Sequence, residues 1–219
     1  ASVALSRTGD SGACHDRSGE YGHEYTERGL KRCHSENSWV YVTYAKKIAT
    51  GGQTTAVARA RLDVTEGRFD KWEDIFVARP AFTTAHHYGS RIVFDKEGYI
   101  FVSAGERSIL EGRAQAQLLS SGLGKIFRIT KDGKPAPGNP FIATPNAKPE
   151  IYSYGHRNPL GIAFDAQGRL WNQEMGPAGG DELNLVKKAA NYGYPTVSNG
   201  DHYDGRNIPD HAAGDGFEA

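Results

Sequence analysis

The chain has 219 residues, 24% of them charged, and its 26 Lys and Arg balance 26 Asp and Glu to a formal net charge of zero. That balance excludes the basic footprint of a nucleic-acid binder and suits small neutral ligands. No apolar run approaches the roughly 20 residues of a membrane helix, and residues 1–7 are too short and too polar to read as a secretion signal.

Residues 1–38 are rich in Gly, His, Arg, Glu and Ser with hardly an apolar pair in register, and are expected to be disordered or foreign to the pattern that follows. Cys14 and Cys33 could form one bridge in an oxidising compartment. Each is followed by a histidine, His15 and His34, which invites a zinc reading. Adjacent side chains seldom converge on one ion, and no Cys-x-x-Cys spacing supports the metal, so unpaired surface residues are the better reading.

From Trp39 the chain becomes a series of short strands, 39–45, 55–62 and 74–79, in which β-branched and aromatic residues dominate and Gly, Pro, Asp and Asn punctuate. Helices are minor; 114–121 and 182–190 are expected to form a turn or two each. The hairpin Arg91-Ile92-Val93-Phe94-Asp95-Lys96-Glu97-Gly98-Tyr99-Ile100-Phe101 returns as Gly161-Ile162-Ala163-Phe164-Asp165-Ala166-Gln167-Gly168-Arg169-Leu170-Trp171. Both copies end a strand in Phe-Asp, turn on Gly and leave on a second apolar strand. A recurring four-stranded unit is the mark of a propeller blade, and residues 39–219 supply about three or four of the typical 4–8. An open array leaves strand edges exposed, so the chain reads as a fragment of a larger ring.

Three clusters sit at turns or strand ends. Thr84-Ala85-His86-His87-Tyr88-Gly89-Ser90-Arg91 offers a histidine that can take a proton near neutral pH, or a purely structural one. Tyr154-Gly155-His156-Arg157-Asn158-Pro159 offers a guanidinium fork and an amide that can grip an anionic cofactor, or that merely tie two loops together. Glu174-Met175-Gly176-Pro177 with Gly180-Asp181-Glu182, followed by Asn191-Tyr192-Gly193-Tyr194-Pro195, places carboxylates beside a Gly/Pro turn. An all-oxygen set favours calcium over zinc or copper, and a solvated acidic turn would read the same way.

In this order the clusters resemble the soluble pyrroloquinoline-quinone (PQQ)-dependent aldose and glucose dehydrogenases, a family of six-bladed β-propellers. Gly124-Lys125-Ile126-Phe127-Arg128-Ile129, Asn139-Pro140-Phe141 and Glu150-Ile151-Tyr152-Ser153 add to the match, which runs from about Trp39 to the end of the chain. The resemblance implies that His87 is the general base acting on the anomeric hydroxyl of an aldose. It implies that Arg157 steadies charge on the quinone oxygen, that Arg157, Asn158 and Tyr203 contact PQQ, and that an electron acceptor reoxidises it. The carbonyls of Gly176 and Pro177, and a second set of Glu182 and Tyr192, would hold calcium, and relatives are exported to the periplasm or beyond.

Departures from the family pattern fall at His86, Ser90, Leu160, Met175 and Tyr194. A Gln-Gly-Gly-Leu-like cofactor segment is not found upstream of Trp39, and the Lys and Arg residues that clamp the cofactor's carboxylates belong to later blades. The chain alone is therefore expected to be inactive. Two other functions share the architecture: a non-catalytic binding propeller and a calcium-dependent lactone hydrolase.

Overall fold

The computed structural model describes residues 2–5, 39–63 and 65–218, the first four by backbone alone. Cys14, His15, Cys33 and His34, and the expectation of disorder over most of 1–38, lie outside the described residues. Three antiparallel meanders follow one another along the chain. The first sheet holds β1 (Ser2–Leu5), β2 (Trp39–Lys47), β3 (Gln53–Asp63) and β4 (Arg68–Val77) in that spatial order. The second holds β5 (Ile92–Phe94), β6 (Ile100–Ala104), β7 (Lys125–Ile129) and β8 (Ile151–Tyr154). The third holds β9 (Pro159–Phe164), β10 (Leu170–Glu174) and β11 (Glu182–Leu185). Among the described residues the sheets do not close into a ring.

The middle sheet is covered on both faces, which is why β6 reads as an apolar run broken only by Ser103 rather than an alternation. Ile100, Val102 and Ala104 of β6, with Phe127 and Ile129 of β7, pack on Tyr41 and Val57 of the first sheet. The intervening Phe101 and Ile126 point the other way, onto Leu170 and Val186, with Ile162 and Phe164 beside them. The two-residue period of a strand thus feeds two cores at once. Aromatic pairs mark both seams: Phe76 and Phe127 have centroids 4.7 Å apart, Phe101 and Phe164 5.5 Å.

The repeated hairpins adopt the same turn. Asp95 exchanges backbone bonds with Tyr99 and Gly98, and Asp165 does so with Arg169 and Gly168 at matching distances. In both turns the aspartate side chain also accepts from the backbone four residues on. Strand β4 starts earlier than the expected 74–79.

The helical expectations need correction. The only helical turns among the described residues are α1 (Leu110–Arg113) and a 3₁₀ turn over Ala114–Gln117, so the first begins before residue 114. Residues 182–185 are the strand β11, paired along β10 from Glu174↔Glu182 to Trp171↔Leu185. Glu and Leu are good helix formers, but the open edge of β10 offers backbone partners and buries Asn184, and that tertiary pairing overrides local preference. No helix among the described residues is long and apolar enough to cross a membrane.

Meander connectivity places the functional loops. Successive turns alternate between sheet ends, so the β4–β5, β6–β7, β8–β9 and β10–β11 connections share one end. These four segments carry His87, Glu106, Arg157 with Asn158, and Gly176 with Pro177.

Candidate functional site

His87 stands in the β4–β5 connection with its backbone in the left-handed region, at φ 51°. His tolerates that region better than most residues, and such backbones concentrate at functional sites. Its Nδ1 lies 2.6 Å from Oε1 of Glu106, whose side chain is fully buried. Glu106 Oε2 accepts from the Ser108 amide at 2.6 Å. A carboxylate on Nδ1 puts the imidazole proton there and leaves Nε2 as a base, and Nε2 has no partner among the described residues.

The loop around His87 is buttressed from β6–β7. Arg107, fully buried, stacks its guanidinium 3.4 Å from the Tyr88 ring centroid and donates to the carbonyls of His86 and Thr84. Burial pulls the Arg107 pKa below its ordinary value. Gly105 sits where this loop meets the β8–β9 turn. A Cβ there would strike the His87 carbonyl and come within 2.8 Å of Asn158 Oδ1, so only glycine lets the two segments close up.

The β8–β9 turn joins directly. The Glu106 amide donates to the Arg157 carbonyl at 2.9 Å, and the Gly89 amide to Asn158 Oδ1 at 3.0 Å. Beneath the turn, Glu174 Oε1 accepts from the amides of both Arg157 and Asn158. Its Oε2 meets His156 Nδ1 and Asn172 Nδ2, each at 2.9 Å. A register shift between Gln173 and Glu174 on β10 aims the carboxyl into this position. Burial pushes the Glu174 carboxyl up, but the His156 charge and the donors around it outweigh that and hold it below the usual range.

Arg157 is buried and donates through Nη1 to the carbonyls of Met175 (2.9 Å) and Gly176 (2.6 Å). Its guanidinium carbon lies 5.9 Å from the Tyr194 ring and 5.5 Å from the ring of Tyr203, which is 67% exposed. Arg157 Nε is buried without a partner, and Asn158 Nδ2 has none among the described residues. These open donors suit an anionic or quinone oxygen.

A family model for glucose/sorbosone dehydrogenases matches residues 28–219. The chain belongs to that family. It is 38% identical over 172 residues to the aldose sugar dehydrogenase YliI of Escherichia coli, and 29% identical over 183 residues to quinoprotein glucose dehydrogenase B of Acinetobacter calcoaceticus. These alignments cover 78% and 74% of this chain but only 46% and 37% of the relatives, so the chain spans less than half their length. Its fold is similar to the crystal structure of the apo-form soluble aldose sugar dehydrogenase of E. coli, with TM-score 0.78 and 35% identity over 84% of this chain and 53% of that one. It is similar also to the PQQ-bound aldose sugar dehydrogenase of Streptomyces coelicolor, with TM-score 0.66 and 30% identity over 84% and 48%.

Within this family member, the residues read as metal ligands line one small cavity: Gly176, Pro177, Glu182 and Tyr192, together with Arg157 and Glu174. The Tyr192 hydroxyl is spent, donating to Leu185 O at 2.7 Å and accepting from Lys187 N at 2.9 Å, and burial pushes its pKa up to about 12. Its main-chain oxygen accepts no bond among the described residues. The Gly176 carbonyl takes the Arg157 guanidinium and the Pro177 carbonyl the Gly180 amide. Glu182 Oε2 accepts from Asn184 at 3.0 Å, while burial and then the Glu174 charge push the Glu182 pKa up. The donors are hard oxygens, a kind that suits calcium, and no group of three His, Cys, Asp or Glu converges among the described residues.

Sequence reasoning missed Glu106 and Arg107, and it quoted His156 and Glu174 within its clusters without pairing them beneath the Arg157–Asn158 turn. Glu106 and Glu174 carried a faint signal, since Glu174 ends β10 and Glu106 lies two residues past β6, both close to buried strand residues where an unpaired charge is costly. Nothing in the sequence paired either with its histidine.

Proposed function

We propose that this chain supplies three blades of a six-bladed propeller that oxidises aldose sugars at the anomeric carbon, with PQQ as the redox cofactor and calcium bound beside it. The observation that carries this reading is the seam itself. The His87–Glu106 pair and the Arg157–Asn158 turn share backbone bonds, and each presents polar atoms without partners among the described residues.

The open donors on Arg157 and Asn158 fit the oxygens of an acidic quinone, and Tyr203 adds an exposed ring beside the guanidinium. When bound, PQQ supplies the two-electron acceptor for the hydride leaving the sugar. His87 Nε2 takes the proton of the anomeric hydroxyl, a role typically worth about 10²–10⁴ in rate. Glu106 fixes the tautomer and stabilises the imidazolium that results. Arg157, held by two carbonyls and the Glu174 clamp, offers fixed positive charge where an oxyanion develops. The Pro177 carbonyl, the Tyr192 main-chain oxygen and Glu182 would hold calcium, whose charge draws electron density from a neighbouring oxygen. Export to the periplasm and reoxidation by a separate acceptor belong to the same reading.

On this reading, orientation of cofactor and sugar draws on further blades of the ring besides these three sheets. The test adds PQQ and calcium to this chain and to the complete polypeptide that carries it, then follows glucose-dependent dye reduction. Turnover by the complete polypeptide alone is expected. Turnover by neither, with lactone hydrolysis instead, would replace the dehydrogenase reading by the hydrolase one.

A further inference from the structure

A second cavity, of about 410 Å³, lies apart from the catalytic seam and shares none of its residues. Four chain segments meet there: the β2–β3 turn with Thr50, the stretch after β4 with Arg79, the β6–β7 connection with Ser120, and Lys148 ahead of β8. Two cations line it and no acid does.

Several arginines elsewhere in the molecule pair with acids. Arg59 is paired with Glu73 and Asp132, Arg128 with Asp95, and Arg206 with Asp204. Neither the Arg79 guanidinium nor the Lys148 ammonium has a partner among the described residues. Two like charges facing one concavity raise its potential, and an anion seated between them relieves that.

The walls are set in advance. The Gly122 amide donates to the Arg79 carbonyl at 2.6 Å, the Lys148 amide to Leu119 O at 2.8 Å, and Gln53 to Phe82 O at 2.9 Å. A Cβ on Gly122 would approach the Arg79 amide nitrogen to 2.9 Å and its carbonyl to 3.0 Å, so glycine permits the close seat of one wall on another. Thr50 and Ser120 add hydroxyl donors to the guanidinium fork and the ammonium point charge.

We propose that this cavity binds a small oxyanion, through a phosphate or a carboxylate group. The two sources share the same recognition: an oxygen pair on the Arg79 fork, a charge contact to Lys148 and hydroxyl donors at the rim.

The test is isothermal titration calorimetry on the full chain with sodium phosphate and, separately, sodium gluconate, at matched ionic strength. Saturable one-to-one binding of at least one is expected, and which one binds identifies the phosphoryl or the sugar-acid source. Arg79→Gln and Lys148→Gln are each expected to weaken it about ten-fold or more, the loss of one charge-assisted bond. Arg79→Lys keeps the charge, loses the fork, and carries the test if Arg79→Gln does not fold; it too is expected to weaken binding. Absence of saturable binding by both anions, or affinity unchanged in these variants, would overturn the proposal. Neither readout needs quinone, calcium or turnover, so failure here leaves the dehydrogenase reading standing.

Discussion

Truncating Glu174 to Ala tests the clamp beneath the Arg157–Asn158 turn. The buried carboxylate accepts from the Arg157 amide, the Asn158 amide at 3.2 Å, His156 Nδ1 at 2.9 Å and Asn172 Nδ2 at 2.9 Å. Its loss strands a buried imidazole, two backbone amides and the Asn172 side-chain amide, and breaking a buried charged pair by deleting one partner costs about 3–5 kcal/mol. Glu174→Gln keeps the shape and one acceptor oxygen, so the two amides stay satisfied. The His156 and Asn172 side then faces an amide donor, for an expected cost of about 1–3 kcal/mol. Urea unfolding of this chain followed by tryptophan fluorescence reads both values. The folded carboxyl titrates below its ordinary 4.5, so its contribution is complete above that pH and disappears as the pH falls through the lower folded value. The wild type should therefore lose stability below pH 4.5 more steeply than Glu174→Gln. Equal midpoints for Ala and Gln, or a loss under about 1 kcal/mol for Ala, would refute the clamp.

In the complete polypeptide, His87→Ala should lower sugar turnover about 10²–10⁴-fold while PQQ binding, read by absorbance, is retained. Glu106→Ala should lower kcat about ten-fold or more with KM little changed, because the imidazole loses the partner that sets its tautomer; an unchanged pH–rate profile would contradict that role. Phe127→Ala removes a fully buried ring from the seam between the first two sheets and should cost about 3–5 kcal/mol in urea unfolding.

The parts of the fold that were legible in the sequence are those set by local pattern. The Phe-Asp…Gly hairpins at 94–98 and 164–168 announced themselves because an Asp side chain capping its own turn and a Gly with φ near 80° are needed whatever surrounds them. Strand β11 was not legible, since Glu182-Leu183-Asn184-Leu185 becomes a strand only once β10 offers its edge. At the site, His87, Arg157 and Asn158 were singled out by residue chemistry and by the order of motifs. Their partners were not, because Glu106 follows His87 by 19 positions and Glu174 follows His156 by 18, joined only by sheet packing. Arg107 is the extreme case: its contacts are two carbonyls and a ring face, none of which leaves a trace in sequence.

The two imidazole–carboxylate pairs in this molecule show why geometry alone does not make a catalytic histidine. Ser153 Oγ lies 2.9 Å from His156 Nε2, and His156 Nδ1 lies 2.9 Å from Glu174, the serine–histidine–acid order of a hydrolytic relay. All three are buried, and the imidazole is stacked on Tyr192 at 4.6 Å with 21° between planes. No substrate carbonyl can reach that serine, so the relay order here serves to brace the Arg157–Asn158 turn. At His87 the same carboxylate-on-Nδ1 arrangement recurs with one difference: Nε2 meets no protein group among the described residues. A hydroxyl in that place stabilises a fold, and an opening there leaves a base for a substrate proton. On the proposed reading, what occupies the second ring nitrogen therefore separates the supporting histidine, His156, from the proposed base, His87.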